Sequence, residues 1–492
     1  MKRWRWVLLW GGLAACSRDA GDWHQKAQEL IGSRALRTLE PAELTQATYC
    51  EEQSLALDST RAETYLSLAR LYRARGAYEE ETRVWRGLLA QHPDLSEAYA
   101  GLGASMAAQG RYNAASRAFQ DAIRREYRTA AVYLQLGNVY QALGHVQNNL
   151  RSAEAAYQAA LELNPGQPDV LLQLARVEVA LKRPEDALRL YRQALELSPQ
   201  DDGIRIELAA LYKSGGAADM AKQLLADGLA AQPGDAILCF DLGRLLWEQG
   251  DQAQAQVQLQ QALAQDSTLV EVYRYQGLIH SSQGRRDQAL EAFRKLEAVR
   301  PREAAVKVNI GILYSQQGDL TQAEQAFRAA VQLGGDKGDA ALKLGGLYMH
   351  QGRLQEAVQI FKQAEEQYPA NAEVHASLGE VYRQMGVLGG ALDESLWAVE
   401  LQPEKALWLY HLAAIYEQVD PAQARQVWAR YLELAAPDPA EAQRLATGRQ
   451  RLAALGGWSG PAWKLPPPSR PRPGAWTPGG VGASDSTNTA RL

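Results

Sequence analysis

The sequence predicts an all-α protein, an α-solenoid of about eleven helix–turn–helix repeats with a degenerate repeat before them and a capping helix after them. Three observations carry this expectation. Apolar residues recur at helical spacing in paired runs. The slot held by Tyr65, Tyr99 and Tyr133 returns every 34 residues. A glycine separates the two runs of nearly every copy.

Residues 96–127, SEAYAGLGASMAAQGRYNAASRAFQDAIRREY, show the unit most clearly. Tyr99, Leu102, Gly103 and Met106 form one helical stripe. Ala115, Phe119, Ala122 and Ile123 form another, and Gly110 divides them. Neither helix can bury its stripe alone, so each needs its partner and a neighbouring copy.

After one interruption the Tyr99 slot continues at Leu171, Arg205, Cys239, Tyr273, Lys307, Ala341, His375 and Leu409. Four residues later the slot is always small, from Ala69, Gly103 and Gly137 through Gly277, Gly311 and Gly345 to Gly379 and Ala413. The turn slot is glycine in nine copies and is broken at Lys182 and Asp420. The second helix places Ala at 115, 153, 187, 221, 255, 289, 323, 357, 391 and 424. An aromatic or Leu follows four residues on, as at Phe119, Tyr157, Phe293, Phe327, Phe361 and Trp428. Proline ends many copies, from Pro93 to Pro403.

This pattern resembles the tetratricopeptide repeat family over residues 62–436, about three quarters of the chain. The resemblance implies a right-handed superhelix in which the first helix of each repeat lines a concave groove. Short side chains let backbones approach, and a bulky residue there would overpack the seam by roughly 1–3 kcal/mol.

A solenoid grows by stacking, so the 492 residues do not divide into ordinary domains. Net charge is −5, from 52 basic and 57 acidic residues, which offers no basic stripe for nucleic acid. Cys50 and Cys239 lie more than five repeats apart. Helix pairs stacked at about 10 Å put them beyond the ~7 Å that a disulfide spans. Cys239 falls in a core slot and reads as a small buried hydrophobe.

In chain order, residues 1–15 read as a lipoprotein signal peptide. Lys2, Arg3 and Arg5 precede a short apolar run, too short for the ~20 residues of a membrane-spanning helix. Leu13-Ala14-Ala15-Cys16 resembles the bacterial lipobox, which implies that Cys16 is acylated and becomes the mature N-terminus. The resemblance, with Ser17 after the Cys, implies a lipid anchor in the cell envelope, with the outer membrane favoured and the protein facing the periplasm. Residues 16–22 read as a tether and 23–61 as the degenerate N-terminal repeat. The third repeat is four residues longer than the others, and the surplus lies within 145–152. It lengthens the second helix or bulges the turn. Residues 437–457 form the expected capping helix. Residues 458–492 are rich in Pro and Gly and are expected to be disordered, with Trp458, Trp463 and Trp476 unexplained.

No HExxH, CxxC, dinucleotide-binding or nucleophile-elbow pattern occurs, so no catalytic, cofactor or metal residue is assigned and no small-molecule substrate is expected. Gly334-Gly335-Asp336-Lys337-Gly338 lacks phosphate-loop spacing. His280 and His375 stand in slots usually filled by core aromatics, without an Asp, Cys or His at ligand spacing, and read as packed rings.

What remains is surface. The slot after Tyr99 includes Leu134, Leu172, Ile206, Phe240 and Arg274. The slot four residues further on includes Asn138, Arg176 and Arg244. These eight residues are the candidate partner-binding groove, an apolar floor with a cationic ridge. Glu207, Asp241 and Glu271 stand close enough in sequence to neutralise that ridge. A carboxylate-clamp member of the family has Lys and Asn in these slots, and Leu134 beside Asn138 leaves that pair incomplete.

The expected function is a non-catalytic scaffold, anchored to the bacterial envelope, that binds a protein or peptide in its groove. Secretion, pilus, polysaccharide export and outer-membrane assembly are the settings the resemblance implies. An adaptor subunit of an envelope enzyme, such as a glycosyltransferase complex, and a self-assembling solenoid are the alternatives.

Overall fold

The computed structural model describes residues 19–32, 35–144, 146–334, 338–436, 441–458, 460 and 466. Among them are 25 α-helices, one 3-10 helix and no strand. The expected signal peptide, Cys16 and most of the C-terminal tail lie outside the described residues.

Eleven helix pairs follow the 34-residue period. The first helices are Ala62–Ala74, Ser96–Ala108, Ala130–Ala142, Pro168–Ala180, Asp202–Ser214, Ala236–Glu248, Glu271–Ser282, Ala304–Gln317, Asp339–His350, Ala372–Gln384 and Ala406–Val419. The second helices are Tyr78–Gln91, Tyr112–Arg124, Gln147–Leu163, Pro184–Leu197, Ala218–Ala231, Gln252–Gln265, Arg286–Val299, Leu320–Leu333, Leu354–Gln367, Leu388–Leu401 and Pro421–Ala435. The chain divides after Leu245 into two compact units. Within each, most helices pack on the helices before and after them in sequence.

The small slot and the aromatic slot explain one another. A side chain on Gly103 would meet the Phe119 ring at 2.9 Å, one on Gly277 the Phe293 ring at 2.7 Å, and one on Gly311 the Phe327 ring at 2.6 Å. The second helix of each of these repeats therefore lays its ring flush on the first. Phe119, Tyr157, Phe293 and Phe361 are at most 1% exposed.

Turns end the first helices as the glycines require. Gly110, Gly250, Gly318 and Gly352 have φ of 73°, 86°, 83° and 73°, the left-handed region open to glycine. Lys182 takes the same conformation, at φ 62°. Asp420 does not. It caps the second helix instead, its carboxylate accepting from the Ala422 and Gln423 amides ahead of Pro421. The four extra residues of the third repeat lengthen its second helix, Gln147–Leu163, to 17 residues.

The ends differ in detail from the sequence expectation. The first helix is Ala20–Ile31, so residues 20–22 belong to it and not to a tether. Asp19 caps it by accepting from the Gly21 amide. It packs on Pro41–Leu57, and Ser54 Oγ ties the pair together by donating to the Ala20 carbonyl at 2.7 Å. At the other end Ala442–Ala454 packs on Pro421–Ala435. Tyr431 donates to Glu441 at 3.0 Å there.

Candidate functional site

Within the N-terminal unit, first helices of successive repeats touch: Ser96–Ala108 meets Ala130–Ala142, which meets Pro168–Ala180. Packing takes the small and apolar stripe of each. The slot after it is left at the edge of the buried face. Leu134, Leu172, Ile206 and Phe240 are accordingly all half-buried. Asn138 and Arg176, one turn further on, are exposed. These positions repeat with the helices, so the unit presents an apolar row beside a mixed one in which Asn138, Arg176 and Arg244 are interspersed with Ala104 and Ala210.

The mixed row is more committed than the sequence suggests. Arg176 donates from Nε to Glu207 at 2.9 Å, with a second bond from Nη2, and Tyr191 donates to the same carboxylate at 2.8 Å. Burial opposes the charge on Glu207, but the Arg176 and Tyr191 hydrogen bonds hold its carboxyl below the usual range. Arg244 donates twice to Asp241, at 2.7 and 3.2 Å. In the C-terminal unit Arg274 bridges Glu271 at 3.0 Å and Glu303 at 2.6 Å. The expected cationic ridge is thus a set of ion pairs, because each arginine has a carboxylate one turn away or on the next repeat. Asn138 accepts from Tyr157 at 2.7 Å.

The first three repeats also form an open cleft of about 480 Å³, lined by their first helices and by Tyr78 and Tyr112 at the starts of two second helices. Ala104, Ala107 and Ala108 form its apolar side, with Asn138, Gln135 and Arg73 as polar groups. A second concavity shares Arg73, Ala104 and Gln135 and adds Leu66, Arg70 and Ala100. Arg73 is held by Glu81, to which it donates at 2.9 Å. Of the eight groove candidates, Asn138 lines the larger cleft. Ala104 in both hollows and Ala100 in the second make the room, in slots where most other repeats carry longer side chains.

One polar cluster lies away from this face, in the C-terminal unit. His375 is fully buried, and its Nδ1 is 2.8 Å from Glu394 and 4.0 Å from Glu365. Its Nε2 donates to the Pro369 carbonyl at 3.1 Å. Burial alone would push the imidazole pKa down; the Glu394 hydrogen bond, the Pro369 carbonyl and the two carboxylate charges raise it above the usual value. The ring is packed, as the sequence suggests, against Trp397 at 6.4 Å between centroids. Its carboxylate partners were not legible as a motif, because they stand 10 residues before and 19 after it on adjacent helices. The available signal was Glu394 itself. It occupies a buried slot that holds Ala118, Ala156, Leu190, Ala292 and Val427 in other repeats.

Two family models match the chain. One, described as the C-terminal domain of cilia and flagella-associated protein 70, a tetratricopeptide repeat model, covers residues 24–269. The other, described as tetratricopeptide repeat, matches 240–304, 274–337 and 308–372. Among solved structures, the chain is similar to the C-terminal part of a TPR repeat-containing protein from Cytophaga hutchinsonii, at 15% identity over 49% of this chain and 98% of that one, with a TM-score of 0.42. It is similar to a tetratricopeptide repeat protein from Parabacteroides merdae, at 19% identity over 48% and 92%, TM-score 0.40. A third is PilF of Pseudomonas aeruginosa, at 22% over 45% and 96%, TM-score 0.37. No curated protein matches significantly.

Proposed function

The chain belongs to the tetratricopeptide repeat family, and on that premise we propose that it is a non-catalytic scaffold that holds a segment of a partner protein against its first helices. The observation that carries the reading is the row of half-buried apolar residues Leu134, Leu172, Ile206 and Phe240 at equivalent positions of successive repeats. Such a row suits an extended or helical segment with apolar anchors. The cleft beside Asn138 supplies a pocket for one of them. Because Arg176 and Arg244 are ion-paired, they set orientation more than they attract charge.

The same proposal places the protein in the bacterial envelope, held through lipid on Cys16. The support is the charged start, the short apolar run and the small residues before that Cys. More than one acyl chain is needed for stable anchoring, as such a lipidated Cys provides. Metabolic labelling with a fatty acid tests it: label is expected on the wild type and absent from Cys16→Ser, and label retained on the variant excludes the anchor.

The groove is tested by capture from detergent-solubilised membranes. Leu172→Lys with Ile206→Lys is expected to reduce recovery of the captured partner at least tenfold, with circular dichroism retained. Arg189→Glu, on a second helix and 68% exposed, is expected to leave it unchanged. The reverse pattern removes the first-helix face from consideration.

A further inference from the structure

We propose that Glu365, His375 and Glu394 form a divalent-cation site, of the zinc class, that ties the ninth repeat to the tenth. One ligand atom from each side chain lies within 4.8 Å of the others. Zinc takes nitrogen and carboxylate oxygen at about 2.0–2.2 Å, usually in tetrahedral array. That geometry separates ligand atoms by about 3.4 Å, and the contacts from Nδ1 at 2.8 and 4.0 Å bracket the value. Small rotamer changes of two carboxylates bring the set to it.

The histidine is oriented for the task. A carbonyl can only accept, so the contact with Pro369 fixes the proton on Nε2. Without an ion Nδ1 also carries a proton, shared with Glu394; a cation that displaces that proton meets an Nδ1 lone pair already facing both carboxylates, in a ring that the Pro369 carbonyl holds through Nε2.

Structural duty in this slot accounts for only half of what His375 does. Tyr99 donates to the Pro93 carbonyl at 3.2 Å from the same slot, and Arg205 to the Pro199 carbonyl at 2.6 Å. A donor that reaches the carbonyl six residues back is therefore a recurring feature of the repeat. His375 meets it with Nε2 alone. Nothing in that feature calls for a second nitrogen facing two carboxylates, or for the carboxylate of Glu394 in a slot that is apolar in the other repeats except at Gln258, which is uncharged.

Charge points the same way. With a protonated ring the three side chains sum to −1. With a divalent cation and a neutral ring they sum to zero, which suits a site where His375 is 0% and Glu394 6% exposed. Glu365, at 13%, is the solvent edge through which an ion enters. The ligands come from Leu354–Gln367, Ala372–Gln384 and Leu388–Leu401, so an ion would clamp three consecutive helices.

The experiment uses the full chain stripped with a chelator, then titrated with Zn²⁺ against a chromophoric competitor, and separately with Co²⁺. Glu365→Gln keeps size and shape at the exposed edge. The wild type is expected to bind one zinc more tightly than the variant by on the order of a hundredfold. Zinc should raise the melting temperature of the wild type only. Affinity should weaken as pH falls, because the metal displaces the Nδ1 proton. Cobalt should give the visible bands of a nitrogen–oxygen site. Equal zinc affinity in both proteins overturns the proposal and leaves a buried ion pair. If the variant loses its circular dichroism, the wild-type cobalt spectrum decides, and a spectrum of aqueous ion alone overturns it.

Discussion

A side chain on Gly345 would overlap the ring of Phe361, whose Cε2 lies 2.9 Å from where its Cβ would stand, whereas Gly346 beside it has nothing within 4 Å. Both lie within Asp339–His350, so helix propensity treats them alike and packing separates them. Gly345→Ala is expected to destabilise by about 1–3 kcal/mol through overpacking. Gly346→Ala is expected to stabilise by up to about 1 kcal/mol, the helix preference of alanine over glycine. Denaturant unfolding of the two variants checks the pair. Equal effects would show that the ring does not seat on the first helix.

Lys182 stands where nine other repeats have glycine and adopts the same left-handed backbone, φ 62°. The turn keeps its hydrogen bonds, with the Lys182 amide to the Val179 carbonyl at 3.0 Å and that of Arg183 to Glu178 at 2.9 Å. Lys182→Gly relieves the strain of a Cβ there and is expected to stabilise by about 1 kcal/mol after the greater freedom of glycine in the unfolded chain is counted. Thermal melts measure it, and a loss of stability would contradict the turn geometry.

Glu324 gathers Arg353 at 2.7 Å, Tyr348 at 2.9 Å and Arg328 at 2.9 Å. The Arg353 hydrogen bond, against a smaller opposing effect of burial and with help from Tyr348 and Arg328, lowers its carboxyl from the ordinary 4.5 to about 2. A depressed carboxyl contributes its stability above the unfolded value and loses it as pH falls through the folded one. The stability gap between wild type and Glu324→Gln should therefore be constant above pH 4.5 and close between there and about 2. A gap independent of pH would show that Glu324 is not ionised in this network.

The repeat was legible because it rests on residues read one helix at a time. A small residue, a ring sixteen positions on and a glycine between them define Gly103, Gly110 and Phe119, and equivalents recur along the chain. The half-buried row was legible for the same reason, since it sits one residue past the packed stripe. Pairings between repeats were not. Arg176 meets Glu207 and Arg274 meets Glu303 only because the next helix pair stacks at that register. His375 needed two other helices to acquire its carboxylates. Asp420 changed from a lost turn residue to a helix cap once Pro421 set the start of the helix behind it.

The central claim is that a partner lies along the first helices, and photo-crosslinking in living cells tests it most directly. A photoreactive residue placed singly at 138, 172, 206 and 240 samples the first-helix row; one placed at 117, 189 and 223 samples the second helices. The account predicts covalent adducts with the same partner from the first set and none from the second. Adducts from the second set alone, or from both sets equally, would contradict it.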